Sequence, residues 1–349
     1  MPGGFSPPPG PAERGTESDR SQGSSAKALL RGVGVPALVA TLIGLSFVVV
    51  FLDAFHAPTP HDLPVAVVGP APQVQAVTAA LDRAAPGQLA VRRLADEDAA
   101  RAAVLQHDVY GALVLADPAP RLLTAGANGQ GVTMTLTQAF TPVAQQAGQQ
   151  LQVQDLQPLA PGDTRGLGIF YGAFGVVLGG FLFGIQSYSA APKLPLRWRV
   201  LSILLFAVVS GALVAWAADV LYAAVPAGWA TVAGLVGLLA LAVAAPAALV
   251  LRTIGSAGTF VTSLSLIILG NATSTGSLPA QYLPPWMQPL SSVLPPGVAV
   301  RALRGATYFG DDGVVRALWV LATWAIVPLV LIAVLDAVRR RRQDRSAGD

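Results

Sequence analysis

The run from Val35 to Leu52, VPALVATLIGLSFVVVFL, holds no charged residue and as a helix would rise about 27 Å, close to the roughly 30 Å hydrocarbon core of a bilayer. Similar runs fill most of the second half: Leu167 to Ser187, Val200 to Tyr222, Trp229 to Leu251, a shorter one from Ile254 to Gly270, and Ala317 to Leu335. About six membrane-spanning helices are therefore expected, divided one plus five. Composition agrees, since only 12% of the 349 residues are charged and 53% are hydrophobic, against roughly a quarter charged in soluble domains. A cleaved signal peptide is the competing reading of the first run, but such peptides have an apolar region of about 7 to 15 residues and a small-residue cleavage site. Asp53-Ala-Phe-His-Ala offers a poor one, so an uncleaved anchor is expected.

The pattern divides the chain. Residues 1–33, rich in Pro, Gly and Ser, read as a disordered cytoplasmic tail, because too little apolar surface is present to offset the entropy of ordering. Residues 34–53 form the first transmembrane helix and 54–165 an extracytoplasmic α/β domain. A five-helix transmembrane domain, 166–338, contains a Pro-rich external segment at 271–313, readable as re-entrant or interfacial, and 339–349 is a basic cytoplasmic tail. The fold class expected is thus a membrane all-α bundle with an α/β domain inserted between its first and second helices. Within that domain Leu63-Pro-Val-Ala-Val-Val reads as a buried strand, followed by a helix with Val74, Val77 and Leu81 on one face. Gln88 to Leu94 and Val109 to Leu115 read as strands flanking a helix capped by Asp96. A longer helix places Val132, Leu136, Ala139, Phe140, Val143 and Ala147 on a stripe kinked near Pro142, before a strand at Leu151 and Val153. The order is β-α-β-α-β-α-β.

Basic residues set the expected orientation. Thirteen of the 22 Lys and Arg fall on one side of six spans: Arg14, Arg20, Lys27 and Arg31 before the first, Lys193, Arg197 and Arg199 after the second, Arg252 after the fourth, and Arg339 to Arg342 with Arg345 after the last. By the positive-inside rule that side is the cytoplasm, with both termini there and residues 54–165 outside. Arg outnumbers Lys 20 to 2 amid abundant Ala, Gly and Pro, a usage associated with high-GC bacteria, so the bacterial plasma membrane is the expected location. The net charge of +3 reflects these flanks and not a nucleic-acid-binding stripe; no nucleic acid partner is expected.

Catalytic patterns are missing. Cysteine is absent, which excludes disulfides, thiolate sites and Cys nucleophiles. The lysines, Lys27 and Lys193, precede Ala28 and Leu194, whereas a phosphate-binding Walker A loop needs Lys before Ser or Thr. Neither a G-x-S-x-G elbow nor an H-E-x-x-H helix occurs; His56, His61 and His107 read as solvated histidines, so no metal and no cofactor is expected in this chain, nor an enzyme activity. The cluster Gly126-Ala-Asn-Gly-Gln-Gly131 reads as a turn before the long helix, with a phosphate cradle as the alternative. Ionisable residues Asp53, Asp219 and Asp336 lie near span ends and none lies at mid-depth, which disfavours an autonomous ion pump. Gly168, Gly172, Gly175 and Gly179 form a small-residue stripe suited to close helix packing.

Three stretches then carry a resemblance. Asp62-Leu-Pro-Val-Ala-Val-Val-Gly, Asp108-Val-Tyr-Gly-Ala-Leu-Val-Leu, and the Pro-rich segment from Leu283 to Arg304 resemble the first strand, a later strand and the external segment of ABC-2-type export permeases, in the phage-infection-protein (YhgE/Pip-like) branch. The chain departs from that pattern at Gly69-Pro70, where relatives often carry Asn or Asp. The resemblance implies the permease subunit of an ATP-driven exporter, energised by a separate ATPase subunit and working as a homodimer or paired permease in the lipid bilayer. Lys193, Arg197, Trp198 and Arg199 are the candidate ATPase-docking residues, with positive-inside anchoring as the other reading. Trp286, Pro295, Pro296, Arg301 and Arg304 are the candidate external gate segment. The alternative function is a non-transporting surface protein, a phage-receptor or secretion scaffold acting through its external domain.

Overall fold

The computed structural model of the protein describes residues 30–116 and 118–346, so most of the expected tail 1–33 lies outside the described residues. The chain divides into two units, one ending at Val49 and one beginning at Val50, inside the first helix. In the first unit, a π-helical turn at Leu30–Gly34 leads into helix α1, Val35–Phe55. Leu38, Leu45, Val48 and Val49 are exposed, as befits a helix solvated by lipid.

The second unit opens with a five-stranded sheet. Its strands are β1 (Leu63–Val68), β2 (Leu89–Leu94), β3 (Gly111–Val114), β4 (Arg121–Thr124) and β5 (Gln152–Asp155), in the order β2-β1-β3-β4-β5. β1 pairs in parallel with β2 and β3, β3 and β4 are antiparallel, and β4 and β5 are parallel. Helix α2 (Ala71–Ala84) buries Val74, Val77 and Leu81, as its periodicity requires. Helix α3 (Glu97–Leu105) is capped by Asp96, whose Oδ1 accepts from the Ala99 amide at 2.8 Å. Helix α4 (Gln130–Gln146) contains Pro142 and buries Val132, Leu136, Phe140 and Ala144, whereas Ala147 is exposed beyond its end. α2 and α4 pack with Leu63, Val65 and Val67 on one face of the sheet, and α3 packs with Ala66, Val68 and Ala112 on the other.

Two expectations for this sheet need correction. β4 lacks a sequence signal: four residues directly after a proline turn, with no alternation, carry less information than the pairing partner that fixes them. Val153, in the strand expected at Leu151 and Val153, is 46% exposed, as are all four residues of β5, the strand at the edge of the sheet.

The helical part begins with α5 (Gly168–Ala190), α6 (Leu196–Ala215, prolonged by a π-helical turn to Leu221) and α7 (Trp229–Ile254). A shorter apolar stretch, Gly258–Ala272, combines α8 (Gly258–Thr262), a π-helical turn at Ser263–Leu269 and α9 (Gly270–Ala272). Then come α10 (Gln288–Ser291), α11 (Pro295–Tyr308) and α12 (Val314–Ser346), the last carrying the basic stretch from Arg339 onward in helical form. Among the described residues five helices are long and apolar enough to cross a membrane, not the six expected. The sixth candidate fails on length: the 15 residues of Gly258–Ala272 rise about 22 Å even as a regular α-helix. Hydroxyls inside it also bond back one turn, Ser263 to Thr259 O at 2.7 Å and Ser265 to Val261 O at 2.8 Å, a pattern that bends helices.

α7 is the central helix, two-thirds buried over its most apolar window and packed against α5, α6 and α12. Its row of Ala242, Ala244, Ala245, Ala247 and Ala248 lets neighbours come close. Outward, Leu205, Val208, Leu213, Trp319 and Val330 are all more than half exposed. Apolar surface on that scale is stable in lipid and not in water. These features make the chain a helical membrane protein with a sheet domain.

Candidate functional site

The Pro-rich segment joins the sheet domain to the bundle. Leu294 leads directly into Pro295 and Pro296, which occupy the first positions of α11, where a missing N–H costs nothing. α11 is buried: Val298, Ala299, Val300, Ala302 and Leu303 pack with the domain-side halves of α5, α7 and α12. Its other end supplies the sheet. Tyr282 completes the hydrophobic layer under α2 and α4, and Phe309 completes the layer under α3. One segment thus contributes an aromatic side chain to each face of the domain.

Polar contacts hold the same joint. The His61 amide donates to Gln281 O at 2.8 Å, and the Ala160 amide donates to the Tyr308 hydroxyl at 3.1 Å. His107 stacks on Phe309 with ring centres 4.4 Å apart, and its Nδ1 lies 3.1 Å from Asp312 Oδ2. Arg301 Nη2 also lies 3.1 Å from that oxygen. Burial pulls His107 below the ordinary histidine value despite Asp312 beside it. Burial pushes Asp312 the other way, yet the hydrogen bond from His107 and the Arg301 charge outweigh it and hold the carboxyl below its usual value. The pair is therefore a neutral imidazole donating to a carboxylate at neutral pH. His107, expected to be solvated, is part of the joint, because the turn after α3 carries it under Phe309.

Arg304 is buried and reaches two carbonyls, Thr275 O at 3.1 Å from Nη1 and Gly276 O at 2.8 Å from Nη2. No carboxylate pairs with it among the described residues. It lines, with His107, Tyr110, Ser291, Ser292 and Arg301, a polar cavity of about 180 Å³. That arrangement clamps the loop that follows α9 and can hold a few waters or a small polar group. The gate candidates divide accordingly: Arg304, Pro295 and Pro296 are buried, Arg301 is an exposed partner of Asp312, and Trp286 stands apart, 55% exposed, its Nε1 donating to Asp53 Oδ2 at 3.1 Å.

At the opposite ends of the long helices, Lys193, Arg197 and Trp198 are exposed, and the Arg197 guanidinium sits 5.7 Å from the Trp198 ring centre. Arg199 does not join them. Expected on the exposed end, it is 4% exposed, donates to Ala191 O at 2.7 Å and lies over the Tyr188 ring. The reason is helical: on α6, Arg199 begins the inward row continued one turn at a time by Ile203, Ala207, Gly211 and Ala215, whereas Arg197 and Trp198 fall on the faces beside it. Nearby, Arg252 of α7 and Asp336 of α12 are paired at 2.6 Å.

The glycine stripe is also redistributed. A Cβ on Gly175 would meet nothing, and those on Gly172 and Gly179 would make only ordinary contacts with α6, whereas Gly168 is crowded by the capping carboxylate of Asp163. The close crossings involve Gly180 and Gly184 against Val243 and Ala247 of α7, and Gly211 of α6 against Ala233 and Gly237. These two glycines of α5 lie on the adjacent face, which composition alone does not distinguish. The Gly126–Gly131 cluster is a turn whose Gly129, at φ +98°, needs the left-handed region. Among the described residues no group of three metal-ligating side chains occurs.

Comparison with protein-family models, with curated proteins and with solved structures finds no match. The functional reading therefore rests on sequence pattern and geometry.

Proposed function

We propose that this chain is the membrane-embedded permease subunit of an ATP-driven exporter of the ABC-2 type, set in a bacterial plasma membrane with residues 54–165 outside and both termini in the cytoplasm. The observation that carries the reading is the joint: the segment between the shorter helix and α12 contributes to both faces of the sheet domain and to the bundle core. Motion of the helices would be transmitted to the domain, as an exporter with an external domain requires. The energy would come from a separate ATPase docking on the exposed Lys193, Arg197 and Trp198, and two copies or a paired subunit would enclose the path.

The test is purification from the native membrane in mild detergent, with mass spectrometry for a co-purifying ATPase that carries a Walker A sequence, followed by ATP hydrolysis in lipid. An ATPase retained by the native chain and lost at least about tenfold in Arg197→Glu with Trp198→Ala is expected; both side chains are exposed, so folding should survive. Absence of any such ATPase would overturn the proposal in favour of the surface-scaffold alternative.

A further inference from the structure

Among the described residues the sheet domain meets the bundle at the end where β1 and β3 begin. His61, Tyr110 and the turn after β4 lie at the joint, whereas the carboxyl ends of β1 and β3 lie at the far end of the strands. There the chain changes direction. From β1 it passes through α2 to β2 on one side, then through α3 on the opposite face back past β1 to β3. The connections leaving β1 and β3 therefore diverge, and in open α/β sheets the crevice they leave is where ligands bind.

A cavity of about 610 Å³ occupies that crevice, with Pro70 following β1 and Leu115 following β3 at its base, and α2 and the end of α4 as its walls. This is the size of small-molecule sites in general. Residues 54–165 carry six Arg, eight Asp and one Glu, yet among the described residues none of the cavity's lining side chains is charged. The polar lining side chains are the amides of Gln73, Gln146 and Gln149, each able to donate and accept. A charged ligand entering would lose hydration without gaining a counter-charge. The glycine-rich turn, a conceivable phosphate cradle, lies at the other end of the sheet, against Ser277 and Leu278.

We propose that this crevice is a ligand-binding site for an uncharged, largely apolar small molecule bearing a carbonyl, hydroxyl or amide group, which the glutamine amides bind. The assignment stands on the sheet's geometry and does not require the exporter reading.

The absence of cysteine makes a direct test available. Ala80, on the α2 wall, is replaced in the full-length chain by Cys, giving a single thiol, and Ala102→Cys, exposed on α3, serves as control in the same detergent. Each is equilibrated under mild reductant with size-matched disulfide fragments that are neutral aryl amides, carboxylates or ammonium compounds, and capture is read by intact mass. Ala80→Cys should capture the neutral fragments about fivefold or more over either charged set, with no such preference at Ala102→Cys. Equal capture of all sets at Ala80→Cys, or the same preference at Ala102→Cys, would overturn the proposal. Adding Gln73→Glu, an exposed position, should move the preference toward ammonium fragments; an unchanged preference would refute the role assigned to the amide.

Discussion

Arg304 carries a buried charge that donates to two carbonyls and, among the described residues, has no carboxylate within ion-pair distance. Truncation to Ala leaves those carbonyls without donors, and each charge-assisted bond is worth about 1.5–3 kcal/mol, so Arg304→Ala should lower stability by about 3 kcal/mol or more. Arg304→Met, which removes the charge while filling the volume, should cost less; thermal unfolding of the detergent-solubilised chain compares them. His107 predicts a pH effect of definite sign. Its folded value is lowered from 6.5 while the unfolded value is not, so the unfolded chain binds the extra proton between the two. Stability should fall as pH drops below about 6.5 and level off below the folded value. Asp312 adds a second loss at lower pH, as acidification passes through its own depressed folded value. Arg301, Arg304 and Asp312 are the charges that act on the imidazole. In His107→Gln the first decline should vanish and the second remain, measured as the unfolding midpoint against pH.

At the level of elements, the bundle is set by how closely helices can approach α7. Gly184 has no room for a methyl, since a Cβ there would come within 2.8 Å of the Ala247 Cβ. Gly184→Ala should destabilise by about 1–3 kcal/mol, and adding Ala247→Gly should recover most of that loss, a coupling read from a double-mutant cycle of unfolding midpoints. Periodicity exposed α2, α3 and α4 in the sequence because each buries one stripe against a sheet. It was silent on α5 and α7, which are apolar all round, so their contacting faces could not be told from their lipid faces. The stripe from Gly168 to Gly179 was a reasonable small-residue face, yet Gly180 and Gly184 make the close contact.

At the level of the molecule, the sheet domain is not self-sufficient. Its two hydrophobic layers are finished by Tyr282 and Phe309, which lie more than a hundred residues beyond its last strand. Phe309→Ala should therefore cost about 3–5 kcal/mol, and residues 54–165 expressed alone should be protease-sensitive where the full chain is resistant. The sequence by itself determined the membrane class, the strands β1 to β3 and the helices between them, because burial in lipid or under one sheet face imposes a length or a period on neighbouring residues. Only the tertiary structure decided that β4 exists, that Arg199 and Arg304 turn inward, that the helical stretch after α7 is too short to span in the ordinary way, and that the segment after it is the joint. Each of those depends on partners distant in the chain, and contacts between distant residues leave no periodic signal in a single sequence.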